Sequence, residues 1–389
     1  MKNYKVLTIN NISEKGLELL PENYSISDNI DDPDAIIVRS AKLHDMEFSP
    51  NLKYIGRAGA GYNNIPVERC SENGILVCNA PGANANAVRE LLIASMILSS
   101  RNIVEAHKWT EKLLDSEDIT KDVENGKKQF VGNEIKGKTL GVIGLGNIGK
   151  IAIDAGAALG MKVIGIDPYL SVRDAIHLNK DLEIPESMEE LVMNSDFLSI
   201  HVPLTDDTEN LIGKDLIYKM KDGITVFNLA RNGLVDNKAI AEALESGKVK
   251  KYIVDFPERE TLNMKNTVNL PHIGASTYES EENAAVMVVN ELMDFMENGN
   301  IKNSVNFPDC DLGVCYSAQR ITVMHRNIPR MLQRILNILA ENEKLNVANL
   351  FNKNKGDWAY TMIDLDSEIC QETINKIKNI ESVTRVRAL

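Results

Sequence analysis

Cysteine is scarce. The chain has five (Cys70, Cys78, Cys310, Cys315, Cys370) in 389 residues, an odd set without a CxxC or a zinc-type spacing. That excludes a disulfide scaffold and leads to the expectation of a reduced, cytoplasmic chain. A basic surplus is also missing. Lys plus Arg total 43 against 56 Asp plus Glu, for a net charge of −13. Nucleic acid is therefore not an expected partner, because such binding rests on neutralising phosphates. The longest strongly apolar stretch, residues 91–98, falls far short of the roughly 20 residues that a membrane helix requires. The opening MKNYKVLTINN lacks the apolar core of a leader peptide. Neither His-x-His nor His-Glu-x-x-His occurs among the six histidines, so no metal site is expected.

The residues present suit a folded protein of two or three domains, at 43% hydrophobic. Short apolar runs at Lys5–Ile9, Ala35–Val38, Tyr54–Arg57 and Ile75–Asn79 alternate with helical patterns such as Ser13–Leu20. This βα alternation implies a parallel sheet. One long helical pattern runs over 84–114. A second βα series follows, with candidate strands Thr139–Ile143, Lys162–Ile166, Phe197–His201, Thr225–Asn228 and Tyr252–Asp255. Another helical pattern spans Glu281–Met296. Two α/β lobes joined by two helices would leave a ligand cleft. After 308–317, which reads as a linker, the order strand, helix, strand, strand, helix, strand is ferredoxin-like.

Gly144-Leu145-Gly146-Asn147-Ile148-Gly149 is a GxGxxG turn between strand TLGVI and a helix, and Asp167 closes the next strand eighteen residues after Gly149. In that setting the turn reads as a dinucleotide site on a Rossmann-like lobe. Gly146 would admit the pyrophosphate at the helix N-terminus, and Asp167 would accept the ribose hydroxyls. A 2′-phosphate would be repelled there, so NAD is expected over NADP. Arg231 and His272 both follow candidate strands of this lobe. A guanidinium fork suits a substrate carboxylate, and an imidazole suits proton transfer near neutral pH.

The segments GVIGLGNIG (141–149), HVPLTDDT (201–208), NLARNGLVD (228–236) and LPHIGAST (270–277) resemble the D-isomer-specific 2-hydroxyacid dehydrogenases. GRAGAGYNNI (56–65) and NAPGANANAVRELLIASMIL (79–98) resemble that family's substrate-lobe loops. The resemblance implies a substrate-binding lobe at 1–95 with 282–307, an NAD-binding lobe at 96–281, and a C-terminal ACT domain at 318–389. It implies Arg231 as carboxylate clamp, His272 as general base and a carboxylate behind it. Glu260 keeps the family spacing from Asp255, with Glu258 as the alternative. Asp255 would meet the nicotinamide carboxamide. His201, Val202, Pro203, Leu229, Ala230, Gly274 and Ala275 would line the cofactor. Asn232 stands where the family often has Gly.

IVRSAK (37–42) resembles the substrate loop of members that oxidise 3-phospho-D-glycerate in the first step of L-serine synthesis. On it, Arg39 and Ser40 would hold the phosphate, helped by Arg57, Ala58, Gly59, Ala60 and Gly61; the plain alternative for Arg39 is a surface salt bridge. The rival readings are an enzyme for another D-2-hydroxy acid and an NAD-sensing regulator on the same fold. The resemblance also implies a homodimer or homotetramer with ACT domains paired between subunits, and serine contacts at His325, Asn327 and Asn346. Arg330 departs from the glycine usual after Pro329, so weak or absent serine inhibition is expected.

Overall fold

The structure, a computed structural model, describes residues 2–170, 175–340 and 345–389. Its contacts separate two units, Met1–Asn84 with Tyr278–Leu389, and Ala85–Thr277.

In the first unit, β1 (Tyr4–Ile9), β2 (Tyr24–Ser27), β3 (Ala35–Val38), β4 (Tyr54–Arg57) and β5 (Leu76–Asn79) form a parallel sheet in the order β2-β1-β3-β4-β5. Every residue of β3 is buried, as a central parallel strand demands. β2 was not foreseen. It lies at the sheet edge with only Tyr24 buried, so it carries no apolar run.

The helix Tyr278–Asn298 covers this sheet, and its Ala285, Val288, Leu292 and Phe295 share a core with Val6, Ile37 and Tyr54. A carboxylate interrupts that face. Glu291 is 7% exposed; its Oε1 accepts from Asn303 Nδ2 at 2.6 Å, while Oε2 is buried with no partner among the described residues. Burial pushes the carboxyl up to about 8 from an ordinary 4.5. Folding therefore favours the protonated form. The associated stability is complete below pH 4.5 and declines as pH rises to about 8, at roughly 1.4 kcal/mol per pH unit. Glu291→Gln should abolish this slope and raise the melting temperature at pH 8–9. Thermal melts between pH 5 and pH 9 check this; an unaltered slope would place the titration elsewhere.

The second unit is a doubly wound sheet. β6 (Thr139–Ile143), β7 (Lys162–Ile166), β8 (Leu182–Glu183), β9 (Phe197–Ile200), β10 (Ile224–Asn228), β11 (Val249–Val254) and β12 (Thr267–Asn269) are parallel, in the order β12-β11-β10-β9-β6-β7-β8. The order reverses between β6 and β9, where open α/β sheets bind ligands. The helical pattern over 84–114 is not one helix. It breaks between Ala85–Arg101 and Ile103–Thr110, because Asn102 takes a left-handed φ of 50°. Asparagine enters that region more readily than most residues.

β13 (Gln319–Arg326), β14 (Val347–Lys355), β15 (Trp358–Leu365) and β16 (Val383–Ala388) form an antiparallel sheet in the order β14-β15-β13-β16. With helices Met331–Ala340 and Gln371–Lys378 they give the βαββαβ module. All of β15 is buried, because the sheet is covered on both faces. Ile363 and Leu365 meet Ile335, Leu339 and Ile377 of the module, while Trp358, Tyr360 and Met362 join the core of the N-terminal sheet. The module therefore lies in the first unit. Residues 308–317 are tied down as well, through Ile301 N to Cys310 O at 2.7 Å and the reciprocal bond at 3.0 Å.

Two arginines cross this seam. Buried Arg387 donates from Nη1 to Phe295 O at 2.8 Å and from Nη2 to Met296 O at 2.7 Å, over the Phe295 ring. Arg320, paired with Asp364, donates to Asn298 O at 2.8 Å. These carbonyls lie in the last turn of a helix, where the ladder of backbone donors runs out; Phe295 O also accepts from Gly299 N at 3.0 Å. The module caps the helix Tyr278–Asn298.

Candidate active site

The glycine turn joins β6 to the helix Asn147–Ala158. Gly144 has φ +89°, and a Cβ there would lie 2.8 Å from His201 O; a Cβ on Gly149 would lie 1.8 Å from Gly144 O. Both must be glycine for the turn to close. A Cβ on Gly146 meets nothing within 4 Å, which leaves its backbone accessible from outside. Its neighbours Asn147 and Ile148 open the helix, whose free N–H groups suit a pyrophosphate. These residues fit a dinucleotide.

Asp167 has a task that the sequence did not reveal. Its Oδ2 accepts from Leu145 N and its Oδ1 from Tyr169 N, each at 2.9 Å, so the carboxylate also braces the glycine turn. Asp167→Asn removes the charge but keeps an acceptor for one of these bonds. We expect it to raise the NADP/NAD ratio of kcat/KM at least tenfold, measured with both cofactors; an unchanged ratio would leave Asp167 a structural role alone.

His201, beyond β9, donates from its backbone to Ile143 O at 2.8 Å, and its Nε2 lies 2.8 Å from Ser199 Oγ. Burial depresses the imidazole to about 4, so it is neutral near pH 7 and unsuited to proton exchange there. Val202 and Pro203 continue this loop.

Arg231, the Glu258–Glu260 segment and His272 follow β10, β11 and β12, three neighbouring strands, at the same end of the sheet. Asn228 at the end of β10 sets the first loop. Its Nδ2 donates to Arg231 O at 2.8 Å, and its Oδ1 accepts from Ala230 N at 3.3 Å. Leu229 is buried and Arg231 exposed. His272 is exposed, has φ +55° and packs its ring 4.5 Å from that of Phe256.

What holds the His272 loop is Asp255, which is 1% exposed. Its Oδ1 accepts from Ile273 N at 2.9 Å and its Oδ2 from Gly274 N at 2.7 Å. Here, then, the carboxylate expected at the nicotinamide carboxamide binds the backbone of the loop leading to Ala275. The two carboxylates proposed behind the histidine share one donor: Asn237 Nδ2 lies 2.9 Å from both Glu258 Oε2 and Glu260 Oε2. Asn232 Nδ2 donates to Glu258 Oε1 at 2.6 Å, which ties the arginine loop to this pair. Glu260 also borders a cleft of about 320 Å³ with Lys238, Glu245 and Lys265.

In the first unit the strand order reverses between β1 and β3, and the loops after β3 and β4 each begin at an arginine. Asn10 directly follows β1 with φ 72°, and its Oδ1 accepts from Ser40 N at 2.9 Å and Ala41 N at 2.8 Å. Asn64 donates to Ala41 O at 2.8 Å. These bonds fix the chain beside Arg39, whose guanidinium pairs with Glu281. Sequence reasoning missed both asparagines, although an Asn-Asn pair ending a strand is a turn signal. The second loop runs from Arg57 through Ala58, Gly59 and Ala60 to Gly61. Gly59 has φ +145°, and any Cβ would strike the Arg57 guanidinium. Asn79 Nδ2 holds Ala60 O at 2.6 Å.

Two of the module's three polar candidates have side chains bound within it, and the third is held by its backbone. His325 is 3% exposed, with Nδ1 2.8 Å from Arg326 O and Nε2 2.9 Å from Thr361 Oγ1. Asn327 Nδ2 donates to Gly356 O at 3.1 Å, and Asn346 N donates to Asp366 Oδ1 at 3.0 Å. Exposed Arg330 takes φ +68°.

A parallel sheet with a phosphate-admitting glycine turn at its switch point, and an arginine and a histidine beyond later strands, defines a nicotinamide-dinucleotide oxidoreductase lobe. Residues 93–274 match the family model described as "D-isomer specific 2-hydroxyacid dehydrogenase, NAD binding domain". The chain is 38% identical over 275 residues to hydroxypyruvate reductase of Thermotoga maritima, covering 68% of this chain and 85% of that protein. It is 36% identical over 325 residues to D-3-phosphoglycerate dehydrogenase of Methanocaldococcus jannaschii, covering 78% of this chain and 60% of that one. A crystal structure of NAD+-bound 3-phosphoglycerate dehydrogenase from Entamoeba histolytica superposes with a TM-score of 0.62 at 28% identity, covering 78% of this chain and 99% of that chain. The chain belongs to the D-isomer specific 2-hydroxyacid dehydrogenases. It spans only 52–60% of the first phosphoglycerate dehydrogenase relatives. No helix among the described residues is long and apolar enough to cross a membrane.

Proposed function

We propose that the protein oxidises 3-phospho-D-glycerate to 3-phosphohydroxypyruvate with NAD, the first step of L-serine biosynthesis. The observation that carries this reading is Arg39, a cation fixed by Asn10 and Asn64 at the switch point of the first sheet. Relatives named D-3-phosphoglycerate dehydrogenase support it. Arg231 would hold the substrate carboxylate as a planar fork. His272 would take the hydroxyl proton at its imidazole and return it in the reverse direction. A carboxylate, Glu260 or Glu258, would favour the charged ring. NAD, when bound, supplies the hydride acceptor.

A second reading, a dehydrogenase for an unphosphorylated 2-hydroxy acid, is favoured by the 85% coverage of the hydroxypyruvate reductase. NADH formation across a panel of 3-phosphoglycerate, D-glycerate and D-lactate separates the two. We expect kcat/KM to be highest for the phosphorylated acid by at least tenfold; a preference for D-glycerate would overturn the proposal.

The reading includes a cytoplasmic homodimer or homotetramer with the C-terminal modules paired. β14, nine exposed or half-exposed residues at a free sheet edge, offers the backbone for such pairing. Serine control would be weak. The side chains of His325 and Asn327 already have partners within the module, and Arg330 places a long cation where glycine is usual. A left-handed backbone costs an ordinary residue about 1–2 kcal/mol. Arg330→Gly should therefore raise stability by about 1 kcal/mol and make the enzyme more sensitive to serine. Melting curves and a serine titration of both forms check this. Strong inhibition of the unaltered enzyme would refute it.

A further inference from the structure

Arg39 does not stand alone: Nη2 of its guanidinium is bound by Glu281 Oε1, and both side chains are 38% exposed. The two residues come from well-anchored elements. Arg39 directly follows β3, and Asn10 grips the two N–H groups after it. Glu281 lies in the first turn of the helix Tyr278–Asn298, where a carboxylate is favoured by the helix dipole. Tyr54 Oη holds that helix at mid-length by donating to Val288 O at 2.8 Å, and Arg387 holds its far end.

We propose that Glu281 is a positioning residue for the substrate's phosphate: it fixes the Arg39 guanidinium so that Nε and Nη1 remain available to the anion. The proposal rests on the reading of Arg39 as the phosphate contact. A free arginine has several rotatable bonds, and its planar fork grips an oxyanion well only in one orientation. A carboxylate behind the guanidinium settles that orientation in advance, as groups behind a ligand commonly do. Ordering a flexible side chain on binding costs about 0.5–1.5 kcal/mol, which corresponds to roughly 2–12-fold in affinity. An acid without a phosphate does not use this fork and gains nothing from the pair.

The test compares Glu281→Ala and Glu281→Gln. The alanine variant should raise KM for 3-phosphoglycerate roughly 2–12-fold, with kcat and KM for D-glycerate unchanged. Glutamine keeps an acceptor oxygen and should restore a KM close to that of the unaltered protein. In an Arg39→Ala background, Glu281→Ala should have no further effect. Calorimetric titration with inorganic phosphate gives a readout without turnover, and binding should weaken in Glu281→Ala by the same factor. An unchanged or lower KM and phosphate affinity that does not fall would overturn the proposal. Equal losses with D-glycerate would assign Glu281 a structural role and overturn it too. If the unaltered protein prefers D-glycerate, the substrate reading fails by itself, and the phosphate titration still decides the role of Glu281.

Discussion

His272→Ala and Arg231→Gln should each lower kcat/KM by about 10²–10⁴-fold, the usual cost of losing a positioned proton carrier or a transition-state charge contact. NADH affinity should change little, because the glycine turn and Asp167 lie at β6 and β7, away from the strands that carry these residues. The physical basis is placement. His272 is exposed on a loop whose next two backbone N–H groups are bound by Asp255, and Asn228 holds the carbonyl of Arg231. Neither loop depends on the substituted side chain for these bonds, so both variants should fold. Steady-state rates with a parallel NADH fluorescence titration check the expectation. Turnover close to that of the unaltered enzyme would remove the residue from the mechanism.

Arg387→Met should destabilise the first unit by about 1–3 kcal/mol. The guanidinium is buried, and its loss would leave Phe295 O with Gly299 N alone, at 3.0 Å, and Met296 O with only the long 3.4 Å bond from Tyr4 Oη. A buried acceptor left so poorly satisfied as Met296 O costs about 1–3 kcal/mol, and the ring contact with Phe295 would be weakened as well. Lysine cannot reach both carbonyls with the same planar geometry, so Arg387→Lys should rescue only part of the loss. Urea or thermal unfolding measures this. A change below about 0.5 kcal/mol, the range of an ordinary surface substitution, would show that the seam is not an obligatory part of the fold.

The recognisable motifs are those in which local chemistry dictates local form. Gly144 and Gly149 are glycine because neighbouring backbone atoms leave no room for a Cβ, and that demand is written into the six-residue turn itself. Buried central strands such as β3 and β10 show as apolar runs because both of their faces are covered. The edge strands β2, β8 and β12 were not legible. They are short, and their residues are mostly exposed or half-buried, so pairing rather than composition defines them.

Within the site, the residue types were legible and their partners were not. Arg39, Arg231 and His272 stand out by kind and by place along the chain. Nothing local says that Asn10 and Asn64 would shape the loop of Arg39, that Glu281 would bind its guanidinium, or that Glu258 and Glu260 would share Asn237. These contacts join residues 18 or more positions apart, and folding alone brings them together. The C-terminal module shows the same division. Its βαββαβ order follows from periodicity along the chain, because each element's pattern is local. Its docking does not, because the second apolar face of β13 and β15 gains meaning only against the helix Tyr278–Asn298, whose last carbonyls accept from the module's arginines. Sequence by itself determined the family, the nucleotide turn and the elements of the fold. Tertiary structure decided which polar groups satisfy one another, since a hydrogen bond is set by distance and angle in space and not by spacing along the chain.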